Sequence, residues 1–161
     1  MQRTRLTPLR FLTEASVIAA MYAALTILLA PISSGQIQVR IAEALTVLPF
    51  FTPTALPGLF VGCLVANIFV GEGIYDIVLG PLATLLAAWL TWKMPNKYLA
   101  PVPPIIVNAL YVGVLLFYVA ELPIAVTAFF VAVGEFIACY LLGYPLILLL
   151  EKNYQRIFER E

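Results

Sequence analysis

Long apolar segments without a single charged residue dominate this chain. No charged residue occurs in segments 15–39, 44–71, 77–92, 98–120 or 122–134. Of the 161 residues, 63% are hydrophobic and only 11% are charged, and the mean hydropathy is +1.00. A water-soluble domain of ordinary composition carries about 25% charged residues. The sequence therefore predicts an integral membrane protein.

The lengths of the apolar segments predict an all-α bundle of six membrane-spanning helices. The hydrocarbon core of a bilayer is about 30 Å thick and an α-helix rises about 1.5 Å per residue, so a span needs roughly 20 apolar residues. The spans are expected at about 14–32, 36–51, 54–70, 74–92, 102–120 and 123–150, in one membrane domain covering residues 1–161. The purely apolar part of the second, 44–51, is too short to cross, so this segment spans only if Arg40 and Glu43 enter the membrane with it.

The basic residues predict the orientation of the bundle. They precede the first helix, lie between the fourth and fifth, and follow the sixth: Arg3, Arg5, Arg10, Lys93, Lys97, Lys152, Arg156 and Arg160. Cytoplasmic loops of membrane proteins carry an excess of Lys and Arg. Six spans with both termini in the cytoplasm place all of these residues inside and leave Arg40 alone towards the outer side.

The composition excludes several kinds of chemistry. The chain contains no histidine, so histidine can serve neither as a catalytic base nor as a metal ligand. It also lacks the Gly-x-x-x-x-Gly-Lys-Ser/Thr loop that binds ATP phosphates. Nine basic and nine acidic residues balance, which gives no reason to expect nucleic acid as a partner. Cys63 and Cys139 are expected to be small buried residues rather than a disulfide or metal pair. We expect no catalytic residue, metal site or cofactor.

The remaining polar residues collect towards the predicted outer side. Gln36, Arg40 and Glu43 recur at i, i+4 and i+7, followed by Val47 at i+11, which places them on one face of an α-helix. An ionised side chain at the bilayer centre costs roughly 3 kcal/mol or more, so such groups usually face the bundle interior and mark a site. Four acidic residues beside basic ones are expected at the solvated surface of the opposite end: Glu14, Glu151, Glu159 and Glu161. The candidate substrate-binding residues are Gln36, Gln38, Arg40, Glu43, Asn67, Glu72, Asp76, Asn108, Tyr111 and Glu135.

Two interpretations of these polar residues stay open. In the first, Arg40 and Glu43 form an i,i+3 ion pair that satisfies only itself, and Glu135 is a partner of Arg40 or a carboxyl bonded to backbone. In the second, the side chains bind a small polar ligand with N–H donors. A purine-like edge fits well, because one carboxylate can receive two of its N–H groups in parallel and its plane can stack on an aromatic ring.

The first helix carries two ladders of small residues. One ladder is Ala15, Ala19 and Ala23, and the other is Ser16, Ala20 and Ala24. Small residues at intervals of four let helices approach closely in lipid. The ladders serve either packing within the bundle or docking of a second membrane protein.

Three segments carry a resemblance to a known family: "AAMYAALTILLAPISSGQIQVRIAEALTVLPFFTPTALPGLFVGCLVANI", "YDIVLGPLATLLAAW" and "GEFIACYLLGYPL". Together they cover nearly the whole chain, which resembles the QueT family of substrate-binding (S) components of energy-coupling-factor (ECF) transporters. The resemblance implies six helices and a pocket that faces outward, in the plasma membrane of a bacterial cell. It also implies an ATP-driven machine with one transmembrane coupling subunit and two ATPase subunits.

The same resemblance implies a substrate and a docking surface. The substrate would be a queuosine precursor or salvage compound: a 7-deazaguanine base such as preQ1 or queuine, or its nucleoside. The alanine ladder matches the Ala-x-x-x-Ala motif by which such components dock on the coupling subunit, with Ala19 and Ala23 as the expected register.

Other functions share parts of the pattern. An S component for another micronutrient would have the same fold and ladder with different pocket chemistry. A stand-alone, proton-coupled secondary transporter would use Glu135 as a proton relay. An intramembrane enzyme is disfavoured, because without histidine it would need a metal site of acids alone, and their spacing matches no ligand motif. We expect a transport protein, with any ATP hydrolysis supplied by partner subunits.

Overall fold

Helices form nearly all of the part of the chain, residues 7–33 and 40–157, that the computed structural model describes. They are α1 (Pro8–Ser33), a 3₁₀ helix (Ile41–Phe50), α2 (Ala55–Val70), α3 (Ile74–Trp92), α4 (Val102–Ala120), α5 (Ile124–Phe136), a π-helical segment (Ile137–Gly143) and α6 (Tyr144–Ile157). The last three are continuous and form one long rod. The described residues thus form six helical rods and no strand, as the sequence predicts.

Four of these rods are long and apolar enough to cross a membrane. They are Pro8–Ala30, Ile74–Trp92, Val102–Ala120 and Ile124–Asn153. The apolar helices Ile41–Phe50 and Ala55–Val70 are shorter. A 3₁₀ helix rises about 2.0 Å per residue and an α-helix about 1.5 Å, so these two cover about 20 Å and about 24 Å of a hydrocarbon core near 30 Å. Length alone therefore supports four crossings within the described residues.

The helix ends follow local signals in the sequence. The first helix begins at Pro8 rather than near residue 14, because Pro8 occupies the first turn, where a missing N–H costs nothing, and the Thr7 hydroxyl accepts a hydrogen bond from the Arg10 N–H at 3.4 Å. The second α-helix ends at Gly71, whose φ of 79° is the left-handed conformation that closes many helices.

Two glycines bring the backbones of α1 and α2 into direct contact. A Cβ atom added at Gly58 would lie 2.8 Å from the Ala15 carbonyl oxygen, and one at Gly62 would lie 2.8 Å from the Ala19 carbonyl oxygen. Ala23 is also buried, at 7% exposure. The ladder of Ala15, Ala19 and Ala23 is therefore used inside the bundle. The neighbouring ladder of Ser16, Ala20 and Ala24 is exposed.

The second rod is a buried 3₁₀ helix, not the α-helix expected at 36–51. All of residues 42–49 are buried, and Gly143 of the π-helical segment approaches closely: its added Cβ would lie 3.0 Å from Val47 Cγ1. Because a 3₁₀ helix has about three residues per turn, Arg40, Glu43 and Thr46 align along it. The predicted polar face at α-helical spacing, which included Val47, is wrong.

The end of the bundle that carries Glu14, Thr54, Lys97 and Glu151 is called the basal end here, and the opposite end the apical end. Glu14 accepts hydrogen bonds from Arg10 Nε at 2.9 Å and from Thr54 Oγ1 at 3.1 Å. Its side chain is 21% exposed, so these contacts bury Glu14 in part, and it is less solvated than the sequence predicts. Lys97 donates to Glu151 at 2.6 Å, and this hydrogen bond raises the pKa of the lysine.

Candidate substrate-binding site

A small polar cavity lies towards the apical end of the bundle, between α3, α4 and α5. Its volume is about 10 Å³, which is close to the space that one water molecule needs. The residues that line it are Arg40, Gly80, Thr84, Asn108, Tyr111, Val112, Val131 and Glu135. A cation, an amide, a phenol and a carboxyl therefore converge on one small volume, which gives the cavity both donors and acceptors.

Glu135 closes the cavity at the last turn of α5. Its side chain is buried, and Oε1 accepts a hydrogen bond from Asn108 Nδ2 of α4 at 2.9 Å. Its Oε2 faces Cys139 Sγ, one helical turn further along, at 3.7 Å. Among the described residues, Glu135 is thus bonded to an amide and a thiol, and no salt bridge joins it to Arg40.

Glu43 lies beside this cavity on the 3₁₀ helix and is 1% exposed. Its Oε1 accepts a hydrogen bond from the Tyr22 hydroxyl of α1 at 2.5 Å. Its Oε2 is buried and has no hydrogen-bond partner among the described residues. A buried polar atom without a partner costs about 1–3 kcal/mol, and such atoms are uncommon enough in folded proteins to require an explanation. This oxygen is the strongest indication that the site receives a donor from a ligand.

Asp76 and Tyr111 form the apical wall of the site. The Tyr111 hydroxyl donates to Asp76 Oδ1 at 3.0 Å, which joins α4 to the first turn of α3. Asn67 of α2 donates its amide to the Asp76 backbone carbonyl at 2.7 Å. A Cβ atom at Gly80 would lie 2.8 Å from the same amide nitrogen, so a larger residue there would displace the Asn67 side chain. Asn67 thus positions the start of α3 and does not line the cavity.

Arg40 pairs with Glu72 rather than with Glu43. The Arg40 Nη2 atom lies 3.5 Å from Glu72 Oε1, and the two side chains are 24% and 35% exposed. No Arg40–Glu43 salt bridge forms among the described residues, so the predicted alternative of an i,i+3 pair is wrong. The Arg40 side chain lines the cavity while Nη2 pairs with Glu72. The other N–H groups of the guanidinium can donate to an acceptor on a ligand.

A second, larger cavity is an apolar groove of about 710 Å³ on α3 and α4. Its lining residues are Tyr75, Leu79, Leu110, Tyr111, Val114, Leu115, Tyr118 and Val119. Most of these side chains are exposed on the outside of the bundle, where a membrane protein meets lipid. The groove lacks the charged groups of the smaller cavity, and Tyr111 separates the two.

The structure brings together most of the residues predicted from the sequence. Four line the cavity (Arg40, Asn108, Tyr111 and Glu135), and four adjoin it (Glu43, Asn67, Glu72 and Asp76). Gln36 and Gln38 lie outside the described residues. Sequence reasoning missed Tyr22, although a tyrosine inside an apolar helix needs a partner for its hydroxyl. It also missed Cys139, which lies one turn from Glu135.

Comparisons with known proteins agree on one family. The model of the family described as QueT transporter matches residues 12–152. The "Queuosine precursor transporter QueT" of Lactococcus lactis subsp. cremoris (strain MG1363) is 34% identical over 73 residues, which cover 44% of this chain and 43% of the relative. The chain thus spans less than half the length of the curated relative that it matches. No solved structure matches the chain.

Proposed function

Because the chain belongs to the QueT transporter family, we propose that it is the substrate-binding (S) component of an ECF-type transporter for a queuosine precursor. The ligand is a 7-deazaguanine base such as preQ1 or queuine, or its nucleoside. The single observation that carries the site assignment is Glu43 Oε2, which has no hydrogen-bond partner among the described residues and is buried beside a cavity lined by Arg40, Asn108, Tyr111 and Glu135.

The chemistry of a deazaguanine matches these groups. Its pyrimidinone edge offers two adjacent N–H donors, which a carboxylate can receive in parallel; Glu43 and Glu135 supply the acceptors. Its ring carbonyl needs a donor, which Arg40 or the Asn108 amide provides. Tyr111 lines the same space and offers an aromatic face for stacking on the ring.

Binding must widen the cavity, because about 10 Å³ holds a water molecule and not a bicyclic ring. The two irregular helices next to the site suit such a change. The 3₁₀ helix supplies Glu43, and the π-helical segment begins two residues after Glu135. A 3₁₀ helix has poorer hydrogen-bond geometry than an α-helix, and a π-helix is a rare conformation. Rearranging the backbone of these two segments therefore costs less free energy than rearranging a regular α-helix.

In the membrane, we propose six crossings with both termini in the cytoplasm. The basal end carries four basic residues: Arg10, Lys93, Lys97 and Lys152. Because cytoplasmic loops carry an excess of Lys and Arg, this end faces the cytoplasm. The two short rods cross by local thinning of the bilayer around them. The site then opens towards the outer side of a bacterial plasma membrane, where a nutrient is captured.

The proposed partners are one transmembrane coupling subunit and two ATPase subunits. Ala15 and Ala19 pack against α2, and Ala23 is buried in the core, so this ladder does not face a partner. The docking surface therefore centres on the exposed ladder of Ser16, Ala20 and Ala24, one residue further along than the register expected from the family motif.

Titration calorimetry on the purified protein tests the substrate. We expect binding of queuine, preQ1 or queuosine, and at least a tenfold loss of affinity, which is about 1.4 kcal/mol, in each of Glu43→Gln, Asp76→Asn and Glu135→Gln. Glu121→Gln, on the exposed turn after α4, is the matched control and should bind as the wild type does. Unchanged affinity in all three site variants would place the site elsewhere.

Two outcomes would favour the other functions. Binding of an unrelated vitamin, with none of the three deazaguanines bound, would identify an S component for another micronutrient. Uptake that persists without ATPase subunits and collapses with the proton gradient would identify a proton-coupled secondary transporter.

A further inference from the structure

Two carboxyl groups are buried together in the interior of this bundle. Glu43 is 1% exposed and Glu135 is 3% exposed. They come from different rods but share neighbours: Cys139 Sγ lies 3.6 Å from the Glu43 backbone oxygen and 3.7 Å from Glu135 Oε2. The Asn108 amide that bonds Glu135 also lies close enough to interact with Glu43. The two side chains are therefore parts of one polar cluster.

The charges around this pair do not balance. Among the described residues, Arg40 is the basic side chain at the apical end, and its guanidinium already faces Glu72. The other basic side chains that the structure describes belong to the basal end. Burying an ionised carboxylate costs several kcal/mol unless a cation and hydrogen bonds compensate it. One shared arginine cannot compensate two buried carboxylates.

The hydrogen bonds of Glu43 and Glu135 also indicate that the two carboxyl groups are not both ionised. Among the described residues, Glu43 Oε1 accepts a hydrogen bond from Tyr22 and Glu43 Oε2 is buried without a hydrogen-bond partner, with the Asn108 amide nearby. An ionised carboxylate has about four acceptor sites, all of which need donors when it is buried. The other titratable or charged groups that face the pair or its immediate neighbours are Tyr22 of α1, Arg40, Cys63 of α2, Glu72, Asp76 of α3, Tyr111 of α4 and Cys139 of the π-helical segment. Apart from Arg40, none of these supplies a positive charge.

We infer that one of Glu43 and Glu135 is protonated in the ligand-free protein, and that this proton leaves when the substrate binds. The second half of this inference rests on the proposed function. A neutral carboxylic acid presents one O–H donor, whereas the two N–H groups of a deazaguanine edge require two acceptor oxygens on one carboxylate. The proton passes from the carboxyl oxygen to solvent as those N–H groups replace it. Substrate capture is therefore linked to pH at the outer face.

Infrared spectroscopy of the ligand-free protein tests the first half without any ligand. At neutral pH, we expect the spectrum of the wild type to contain the C=O stretching band of a protonated carboxylic acid. The frequency of this band should shift when the sample is exchanged into heavy water. Glu43→Gln and Glu135→Gln should each remove it, because the remaining carboxyl then has no second buried acid beside it. Glu121→Gln should retain it. Absence of the band from the wild type, or its persistence in both site variants, overturns the inference.

Calorimetry with queuine, preQ1 and queuosine in two buffers of different ionisation enthalpy tests the second half. We expect release of about one proton per ligand and an affinity that rises by up to about tenfold per pH unit while the proton is held. Binding without proton release overturns the linkage and leaves the proposed function intact. Absence of binding by all three compounds overturns the proposed function, while the infrared result still decides the protonation.

Discussion

Replacing Gly62 by alanine tests whether the contact between α1 and α2 organises the site. The added Cβ atom would lie 2.8 Å from the Ala19 carbonyl oxygen and 2.9 Å from Tyr22 Cβ, whereas ordinary contacts lie at 3.4–4 Å. Neither neighbour can yield by rotating a flexible side-chain end, since one atom is backbone and the other is fixed to it. The two helices must therefore move apart by several tenths of an ångström.

The expected magnitude follows from two opposing effects. Forcing an extra carbon into a packed interior costs about 1–3 kcal/mol, and a contact with backbone belongs at the upper end of that range. Alanine in place of glycine in a helix interior gains about 1 kcal/mol. We therefore expect the free energy of unfolding to fall by about 2 kcal/mol, the difference between these two terms. Because Tyr22 moves with α1, substrate affinity should fall as well.

The assay is reversible unfolding in mixed micelles, followed by helical circular dichroism, with ligand affinity measured on the same preparations. Gly73→Ala is the matched control, because nothing lies within 4 Å of its added Cβ and its φ of −59° suits any residue. This control should be as stable as the wild type. A Gly62→Ala variant that is equally stable, or more stable as helix propensity alone predicts, would refute the close packing of α1 on α2.

Three further perturbations test other parts of the structure. Tyr22→Phe removes the only donor to Glu43 Oε1 among the described residues, and should lower the free energy of unfolding by about 2 kcal/mol; an unchanged value in the same micelle assay would contradict that bond. Ala24→Leu should abolish copurification with the coupling subunit while leaving ligand affinity intact, whereas Ala125→Leu, at an exposed position of α5, should leave both intact. Lys97→Gln should lower the thermal midpoint at neutral pH, and because the pKa of Lys97 is raised, this difference should disappear only as the pH climbs above the ordinary value of 10.5.

The positions of the rods were readable from sequence because their signals are local. Charge-free apolar stretches, the Gly71 turn and the prolines that open helices act within a few residues of one another. The predicted bounds of the third, fourth and fifth rods therefore agree with the structure to within one residue. The second rod departed from prediction, because residues 42–49 are buried on every side and the close approach of Gly143 to Val47 favoured a thinner 3₁₀ helix over an α-helix.

The sequence predicted which polar residues lie around the candidate site, but not how they pair. Polar residues in a membrane bundle must face inward whatever their partners, so scarcity alone singled out Glu43, Asn108, Tyr111 and Glu135. Spacing along one helix left an Arg40–Glu43 pair open as one of two alternatives, and the structure pairs Arg40 with Glu72 instead. The choice was made by neighbours on other rods, which local spacing does not describe.

The sequence by itself determined that this chain is a bundle of apolar helices, and it singled out the few polar residues that are candidates for a binding site. Composition and helix length are sums over neighbouring residues, and they need no knowledge of the fold. Only the tertiary structure decided that Tyr22, 21 residues from Glu43, bonds one of its carboxyl oxygens and that no other described residue bonds the second. It also decided which of the two ladders on α1 remains exposed. Both outcomes depend on how the rods are rotated against each other, and that rotation is set by close contacts such as Gly62 on Ala19.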